Sequence, residues 1–122
     1  MKTEINIGLE TSENYGKSVA ISEVEVIKYC GYNKVKVLDY RIEKGYFDNY
    51  QDVRKEDTLV AIVKITGAQS QAIYKLAREL KQDCIAIKTT RNVEGKIYKR
   101  GFLIGRYAEQ WGKFDEKYFL NY

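Results

Sequence analysis

The segment that most constrains the fold is residues 58–65, which are nearly continuous apolar sequence. A strand that is apolar at successive positions buries both of its faces, so it belongs inside a sheet. Apolar residues then recur at helical spacing over residues 68–80, which predicts an amphipathic helix. The apolar run 84–87 predicts a further buried strand. A strand, a helix and a second strand in this order require a sheet with a helix packed against it.

Two further segments alternate apolar and polar residues with the period of a β-strand. Residues 4–10 predict a half-buried first strand, with Glu4 and Asn6 on its polar face. Residues 34–40 predict a second strand that extends toward residue 46. In that strand the alternation places Val35 and Val37 on one face. The other face then carries Lys36, Leu38 and Tyr40. An acidic turn over residues 49–57 is expected to lead into the apolar third strand.

Between the first two strands, the sequence predicts a short helix. The tetrapeptide Ser-Glu-Val-Glu that begins at Ser22 has the form of a capping box. Ile21, Val24 and Ile27 recur at helical spacing up to Gly31, which is a candidate C-cap. The β-branched residues of this segment leave a strand as the alternative.

Residues 92–95 can turn the chain back into residues 96–99, so the last two strands are predicted to form a hairpin. The element order predicts an α+β fold of the split β-α-β type, in which two helices cover one face of an antiparallel sheet of four to five strands. A chain of 122 residues forms one domain, residues 1–122. A docked, partly helical tail is predicted from the spacing of Tyr107, Trp111, Phe114 and Tyr118.

Positive charge is concentrated on and directly after the predicted hairpin. Residues 88–106 carry six Lys or Arg and one acid. Residues 1–61 carry nine basic and eleven acidic residues, whereas residues 62–122 carry twelve and six. Because aromatic residues lie in and beside the basic stretch, it offers cations for phosphates and flat rings for a base.

The composition excludes several kinds of chemistry. The chain has no histidine, which excludes Ser-His-Asp and Cys-His catalysis and His-ligated metals. Cys30 and Cys84 have no pairing pattern and are expected to be buried thiols. No run of about eighteen apolar residues suits a membrane span, so a cytoplasmic location is expected. A binding protein without catalysis, metal or cofactor fits this composition.

The candidate ligand-binding residues come from the basic stretch and from the strand preceding it. They are Lys64, Lys88, Arg91, Asn92, Tyr98, Arg106 and Trp111. Lys64 and Lys88 each end an apolar row on a predicted strand. They either meet at the rim of a pocket, if their two strands are neighbours in the sheet, or extend to water. The arginines can grip a pyrophosphate in a two-pronged way, and Asn92 can pair with a base edge or a ribose hydroxyl. Trp111 is either a stacking platform or a core residue.

Several segments resemble the phage anti-Thoeris sponge family. They are residues 5–9 (Ile-Asn-Ile-Gly-Leu), 56–60 (Glu-Asp-Thr-Leu-Val), 81–87 (Lys-Gln-Asp-Cys-Ile-Ala-Ile) and the aromatic C-terminal tail. Members of that family are small oligomeric domains that bind a cyclic ADP-ribose isomer made by bacterial TIR enzymes and hold it without cleaving it. The resemblance implies that this chain sequesters such a nucleotide in the cytoplasm of an infected bacterium, as a homo-oligomer.

Two other functions stay open from the residues themselves. The basic hairpin with Tyr98, Phe102 and Tyr107 suits a small RNA-binding or single-strand-binding domain, although a net charge of only +4 and an acidic first half weigh against nucleic acid. An enzyme that clamps an anion with an Arg and Asn pair needs no histidine, and so it is also compatible with the sequence.

Overall fold

The computed structural model describes residues 1–11, 18–48 and 53–105. Within them, the elements in chain order are β1 (Lys2–Gly8), α1 (Glu23–Tyr32), β2 (Val35–Asp48), β3 (Val53–Ile65), α2 (Gln69–Glu79), β4 (Cys84–Val93) and β5 (Lys96–Gly105). The strands form one antiparallel sheet in the order β2-β3-β1-β4-β5. The predicted α+β architecture is therefore confirmed. The predicted aromatic tail lies outside the described residues.

Both helices pack against the same face of the sheet. Ile5 and Ile7 of the central strand β1 are completely buried in the core on this face. The helices contribute the buried residues Val26, Cys30, Ile73, Leu76 and Ala77 to the same core. We call this the helix-covered face, and the side that carries Glu4 and Asn6 is the opposite face, because successive side chains of a strand alternate. The amphipathic helix predicted over residues 68–80 is confirmed as α2.

The helix predicted to follow Ser22 is confirmed as α1, but its buried side differs from the expected one. The Ser22 hydroxyl accepts a hydrogen bond from the Glu25 backbone N–H at 3.2 Å, as a capping box requires. Val24 is 71% exposed, whereas Val26 is buried. Two residues correspond to about 200° around a helix, so these side chains point in opposite directions. Gly31 lies within α1, and the C-cap is Asn33.

A β-bulge in β2 breaks the alternation that the sequence predicts. The pairing with β3 shifts between Val37 and Asp39. Tyr40 consequently pairs with Ala61 and lies on the helix-covered face, so its predicted placement beside Lys36 was wrong. The acidic turn is also shorter than predicted, because β3 already begins at Val53.

The central strand β1 is buried on both faces, so the prediction of a half-buried strand was wrong. Glu4 and Asn6 are only 4% and 6% exposed. A buried carboxylate requires a cation beside it, and β4 supplies one in Lys88. The sequence pattern shows Glu4 as polar but does not show which cation is opposite it.

The predicted hairpin is confirmed, with longer strands than expected. Glu94 and Gly95 have φ angles of 52° and 82°. Two successive positive φ angles are typical of the type I′ turn, whose twist matches that of the flanking strands. From this turn the β4–β5 pairing runs from Val93 opposite Lys96 to Cys84 opposite Gly105.

Substituting alanine for each of two glycines should move stability in opposite directions. A Cβ at Gly31 would have no atom within 4 Å, so Gly31→Ala should stabilise α1 by roughly 0.5–1 kcal/mol. A Cβ at Gly45 would overlap the Thr58 hydroxyl and lie 3.1 Å from the Thr58 Cβ. Gly45→Ala should therefore destabilise the protein by about 1–3 kcal/mol. Urea unfolding measures both values, and equal shifts in one direction would contradict the packing described for β2 and β3.

Candidate nucleotide-binding cleft

The fold divides the sequence-predicted site residues between the two faces of the sheet. Arg91 and Tyr98 are directly opposite each other in the β4–β5 pairing and lie on the helix-covered face. Lys64, Lys88 and Asn92 lie on the opposite face. Arg106 and Trp111 lie outside the described residues. The structure thus brings together one pair, Arg91 and Tyr98.

This pair lines an open cleft of about 1140 Å³ at the N-terminal end of α2. β4 and β5 form its floor, and the first turn of α2 forms one wall, with Ala68, Gln69 and Ser70. Its volume is slightly above the range of about 300–1,000 Å³ for small-molecule sites. The cleft therefore has room for a ligand of nucleotide size.

Three cross-strand pairs make up the floor. Ile87 is opposite Phe102, Thr89 is opposite Arg100, and Arg91 is opposite Tyr98. Arg91 and Arg100 are diagonal neighbours, at a typical separation of about 7–8 Å between their backbones. The floor therefore changes from apolar and aromatic beneath α2 to cationic at the exposed hairpin, where Tyr98 is 54% exposed.

The end of α2 adds backbone donors to the wall of the cleft. The N-cap residue Ala68 makes no side-chain hydrogen bond to the first turn. The first N–H groups of a helix have no partner within the helix and carry partial positive charge. The first turn of α2 lines the same cleft as the two arginines of the floor, so wall and floor favour an anion together.

The charges around the cleft have one sign. Among the described residues that line it there is no Asp or Glu, whereas Arg91 and Arg100 are both exposed. Cations without a neighbouring carboxylate remain available to an external anion. The cleft can hold a phosphate group at its cationic end and a flat ring against Tyr98 or Phe102.

The candidate ligand-binding residues drawn from the sequence did not include Arg100, Thr89, Phe102 or Ser70. The signal for three of them was present in the turn. A two-residue turn at Glu94 and Gly95 fixes the register of the hairpin. Counting outward from the turn then pairs Arg91 with Tyr98, Thr89 with Arg100, and Ile87 with Phe102. Ser70 could not be found this way, because the packing of α2 on the sheet decides its place.

On the opposite face, Lys88 is held within the structure. Its ammonium nitrogen lies 3.3 Å from Glu4 Oε2, and the residue is only 7% exposed. Lys88 therefore neither extends to water nor rims the cleft. Lys64 is not its neighbour, because β1 lies between β3 and β4. The sequence analysis placed these lysines together on the condition that their strands are adjacent, and they are not.

The two cysteines are free thiols, as predicted. Cys30 is buried and Cys84 is partly buried. Burial raises the pKa of the Cys30 thiol to about 11. Burial, and then the charges of Asp83 and Glu56, raise the pKa of the Cys84 thiol to about 12. Both thiols are therefore protonated and weakly nucleophilic at neutral pH.

Two further findings concern metal ions and membranes. Within the described ranges no cluster of three or more Cys, Asp or Glu side chains is arranged to hold a metal ion. Neither α1 nor α2, the helices of the described part, is long and apolar enough to cross a membrane.

Comparisons with known proteins return no relative. No family model matches the chain, and neither the curated proteins nor the solved structures include a significant match. The class of protein that fold and cleft define is therefore a small α+β domain with a cationic, aromatic cleft.

Breaking the Glu4–Lys88 pair should cost much more stability than replacing it. Lys88→Met leaves a buried carboxylate without its cation, and should lower the free energy of unfolding by about 3–5 kcal/mol. Glu4→Leu combined with Lys88→Met removes both charges, and should recover most of that loss. Urea unfolding of the two single variants and the double variant gives the coupling energy. Additive losses would contradict a direct pair.

The raised thiol pKa values predict a loss of stability at high pH. An unfolded thiol has a pKa of about 8.5, so between that pH and about 11 the unfolded state ionises while the folded state does not. The free energy of unfolding should fall by up to about 2 kcal/mol per thiol at pH 10, with no effect below pH 8. A Cys30→Ala, Cys84→Ala variant controls for tyrosines and lysines. An equal fall in that variant would contradict the prediction.

Proposed function

We propose that this protein binds a cyclic ADP-ribose isomer in the cleft and holds it without chemical turnover. The observation that supports the proposal most directly is the placement of Arg91, Arg100 and Tyr98 on one cleft floor, in the same cleft as the first turn of α2. A pyrophosphate, an adenine and two riboses each require a different kind of partner, and this cleft offers each kind.

The pyrophosphate is assigned to the cationic end of the cleft. Guanidinium groups bind phosphate oxygens through two parallel hydrogen bonds, and Arg91 and Arg100 lie on adjacent strands of the floor. The N-terminus of α2 supplies further donors to the same anion. Two arginines and a helix end match the two negative charges of a pyrophosphate.

The adenine and the riboses are assigned to the remaining surfaces. Tyr98 and Phe102 lie on the same face of β5, four residues apart, and both line the cleft. Stacking of a base on an aromatic ring contributes about 1–3 kcal/mol. Ser70, Gln69 and Thr89 offer hydroxyl or amide groups to ribose hydroxyls. Binding of this kind requires neither a nucleophile nor a general base.

The biological role that fits such binding is sequestration of a signal. The sequence segments that resemble the phage anti-Thoeris sponge family suggest that the nucleotide is the product of a bacterial TIR enzyme, bound in the cytoplasm of the infected cell. A protein of this kind acts by mass action, so it must bind more tightly than the downstream effector and be present in excess of the signal.

A homo-oligomer is part of the same proposal. The edge strand β2 exposes three large apolar side chains, namely Leu38, Tyr40 and Ile42. An edge strand with exposed apolar residues can pair with a second copy. Such pairing would leave the cleft accessible, because the cleft lies at the other end of the strand order, on β4 and β5.

Removing either arginine of the cleft should weaken nucleotide binding. Arg91→Ala and Arg100→Ala should each raise the dissociation constant for a cyclic ADP-ribose at least tenfold, because each loses a charge-assisted hydrogen bond worth about 1.5–3 kcal/mol. Asn92→Ala is the matched control, since Asn92 is exposed and next to Arg91 but lies on the opposite face. Titration calorimetry measures all three.

Two results would contradict the assignment. If Arg91→Ala and Arg100→Ala bind as tightly as the unmodified protein, the cleft is not the site. If Asn92→Ala alone loses affinity, the ligand binds on the opposite face. Thermal unfolding of each variant without ligand confirms that a loss of affinity does not come from a loss of fold.

A further inference from the structure

Four lysines lie in one line across the opposite face of the sheet. Lys36 of β2 is directly opposite Lys64 of β3. The β1–β3 register, continued by one residue, places Lys2 beside Lys64. Thr90 of β4 pairs with Lys2 on one side and with Lys99 of β5 on the other. We call Lys36, Lys64, Lys2 and Lys99 the lysine row, and all four are exposed.

The surroundings of the lysine row leave it strongly positive. In the next register inward, Lys88 pairs with Glu4, and Asp39 accepts a hydrogen bond from its neighbouring backbone N–H. These two registers carry five lysines and two acids. Across the described ranges, no ion pair joins the row's lysines on β1, β2 and β3 to an acid.

The arrangement opposes like charges at short range. Side chains directly opposite on antiparallel strands have Cβ atoms about 5 Å apart, and like charges at such positions repel. Lys36 and Lys64 are opposed in this way, and Lys2 lies next to them on the other side of Lys64. An external anion that bridges the row would convert this repulsion into attraction.

The shape of the row selects the kind of anion. From β2 to β5 the row crosses four strand intervals of about 4.8 Å, which gives a length of roughly 19 Å. A single pyrophosphate covers only part of that length, whereas a polymer with regularly repeated phosphates can follow all of it.

We propose that the lysine row binds the phosphate backbone of a single-stranded nucleic acid. Binding of this kind is independent of sequence and depends on phosphate contacts. Lys36, Lys64 and Lys2 lie on the face of the sheet opposite the cleft, whereas Lys99 of the edge strand β5 also borders the cleft. The test below therefore changes only Lys36 and Lys64, and the inference does not rest on the nucleotide-binding proposal. In the sequence analysis, the acidic first half of the chain weighed against nucleic-acid binding. The fold nevertheless places two lysines of that half, Lys2 and Lys36, beside Lys64.

The test is binding of fluorescein-labelled oligo(dT) of fifteen nucleotides, followed by fluorescence anisotropy at several salt concentrations. Four phosphate contacts predict a slope of log K against log salt of roughly −2.8, and two predict roughly −1.4. Lys36→Gln with Lys64→Gln should therefore halve the slope and weaken binding at least tenfold at low salt. Lys75→Gln with Arg78→Gln, two exposed cations of α2, is the matched control and should bind normally.

Each other outcome overturns the proposal. Equal weakening in the α2 control would show attraction to net charge alone. Loss of binding in Arg91→Ala with Arg100→Ala, but not in the row variant, would move nucleic acid to the cleft. Absence of binding at low salt would exclude a nucleic-acid site. Removing facing lysines relieves repulsion, so the row variant should unfold at the same or a higher temperature than the unmodified protein. When oligo(dT) is added, only the unmodified protein should gain stability.

Discussion

The pairing of β4 with β5 is the constraint on which the candidate site depends. The turn at Glu94 and Gly95 requires two residues with positive φ, and it sets Arg91 opposite Tyr98 and Thr89 opposite Arg100. A slip of one residue would exchange the faces of one strand relative to the other. The cationic and aromatic groups of the cleft would then no longer share a face. A short local turn therefore determines a binding surface that extends several residues along both strands.

The central strand β1 has a similar role for the sheet as a whole. Ile5 and Ile7 anchor the core under both helices, while Glu4 on the other side pairs with Lys88 of β4. A buried ion pair contributes little net stability, but an unpaired buried charge is costly, so the pair disfavours other registers of β1 against β4. The same register brings Lys2 into line with Lys64 and Lys99. The register of β1 therefore determines which residues of β3 and β4 lie side by side on the opposite face.

Much of the architecture could be predicted because it depends on periodicity and turn chemistry. The apolar third strand and the stripe of α2 each indicate one structure locally, and the capping box at Ser22 favours a helix over the strand that its β-branched residues also allow. The bulge after Val37 could not be predicted, because alternation carries no signal for one inserted residue. Burial of Glu4 and Asn6 was also missed, since a strand pattern shows polarity and not the partner across the sheet.

The site was harder to predict than the fold. The sequence identified a basic stretch correctly but treated its residues as one surface. Alternation along β4 instead separates Arg91 from Lys88 and Asn92, and β1 separates Lys64 from Lys88. The wall of the cleft comes from α2, which precedes β4 in the chain, and only three-dimensional packing places Ser70 in the same cleft as Arg91. Which residues share a face of one strand could therefore be predicted from the sequence. Which residues the packing of α2 on the sheet brings into one cleft could not.

The central claim is that the protein holds an intact cyclic ADP-ribose in the cleft. The most direct measurement is to mix the purified protein with a nucleotide extract from a TIR enzyme, remove unbound small molecules, denature the protein by heat, and identify the released compounds by mass spectrometry. We predict an intact cyclic ADP-ribose isomer, released by the unmodified protein and not by a variant that lacks Arg91 and Arg100. Release of a degraded nucleotide, of none, or of equal amounts from both proteins would contradict the claim.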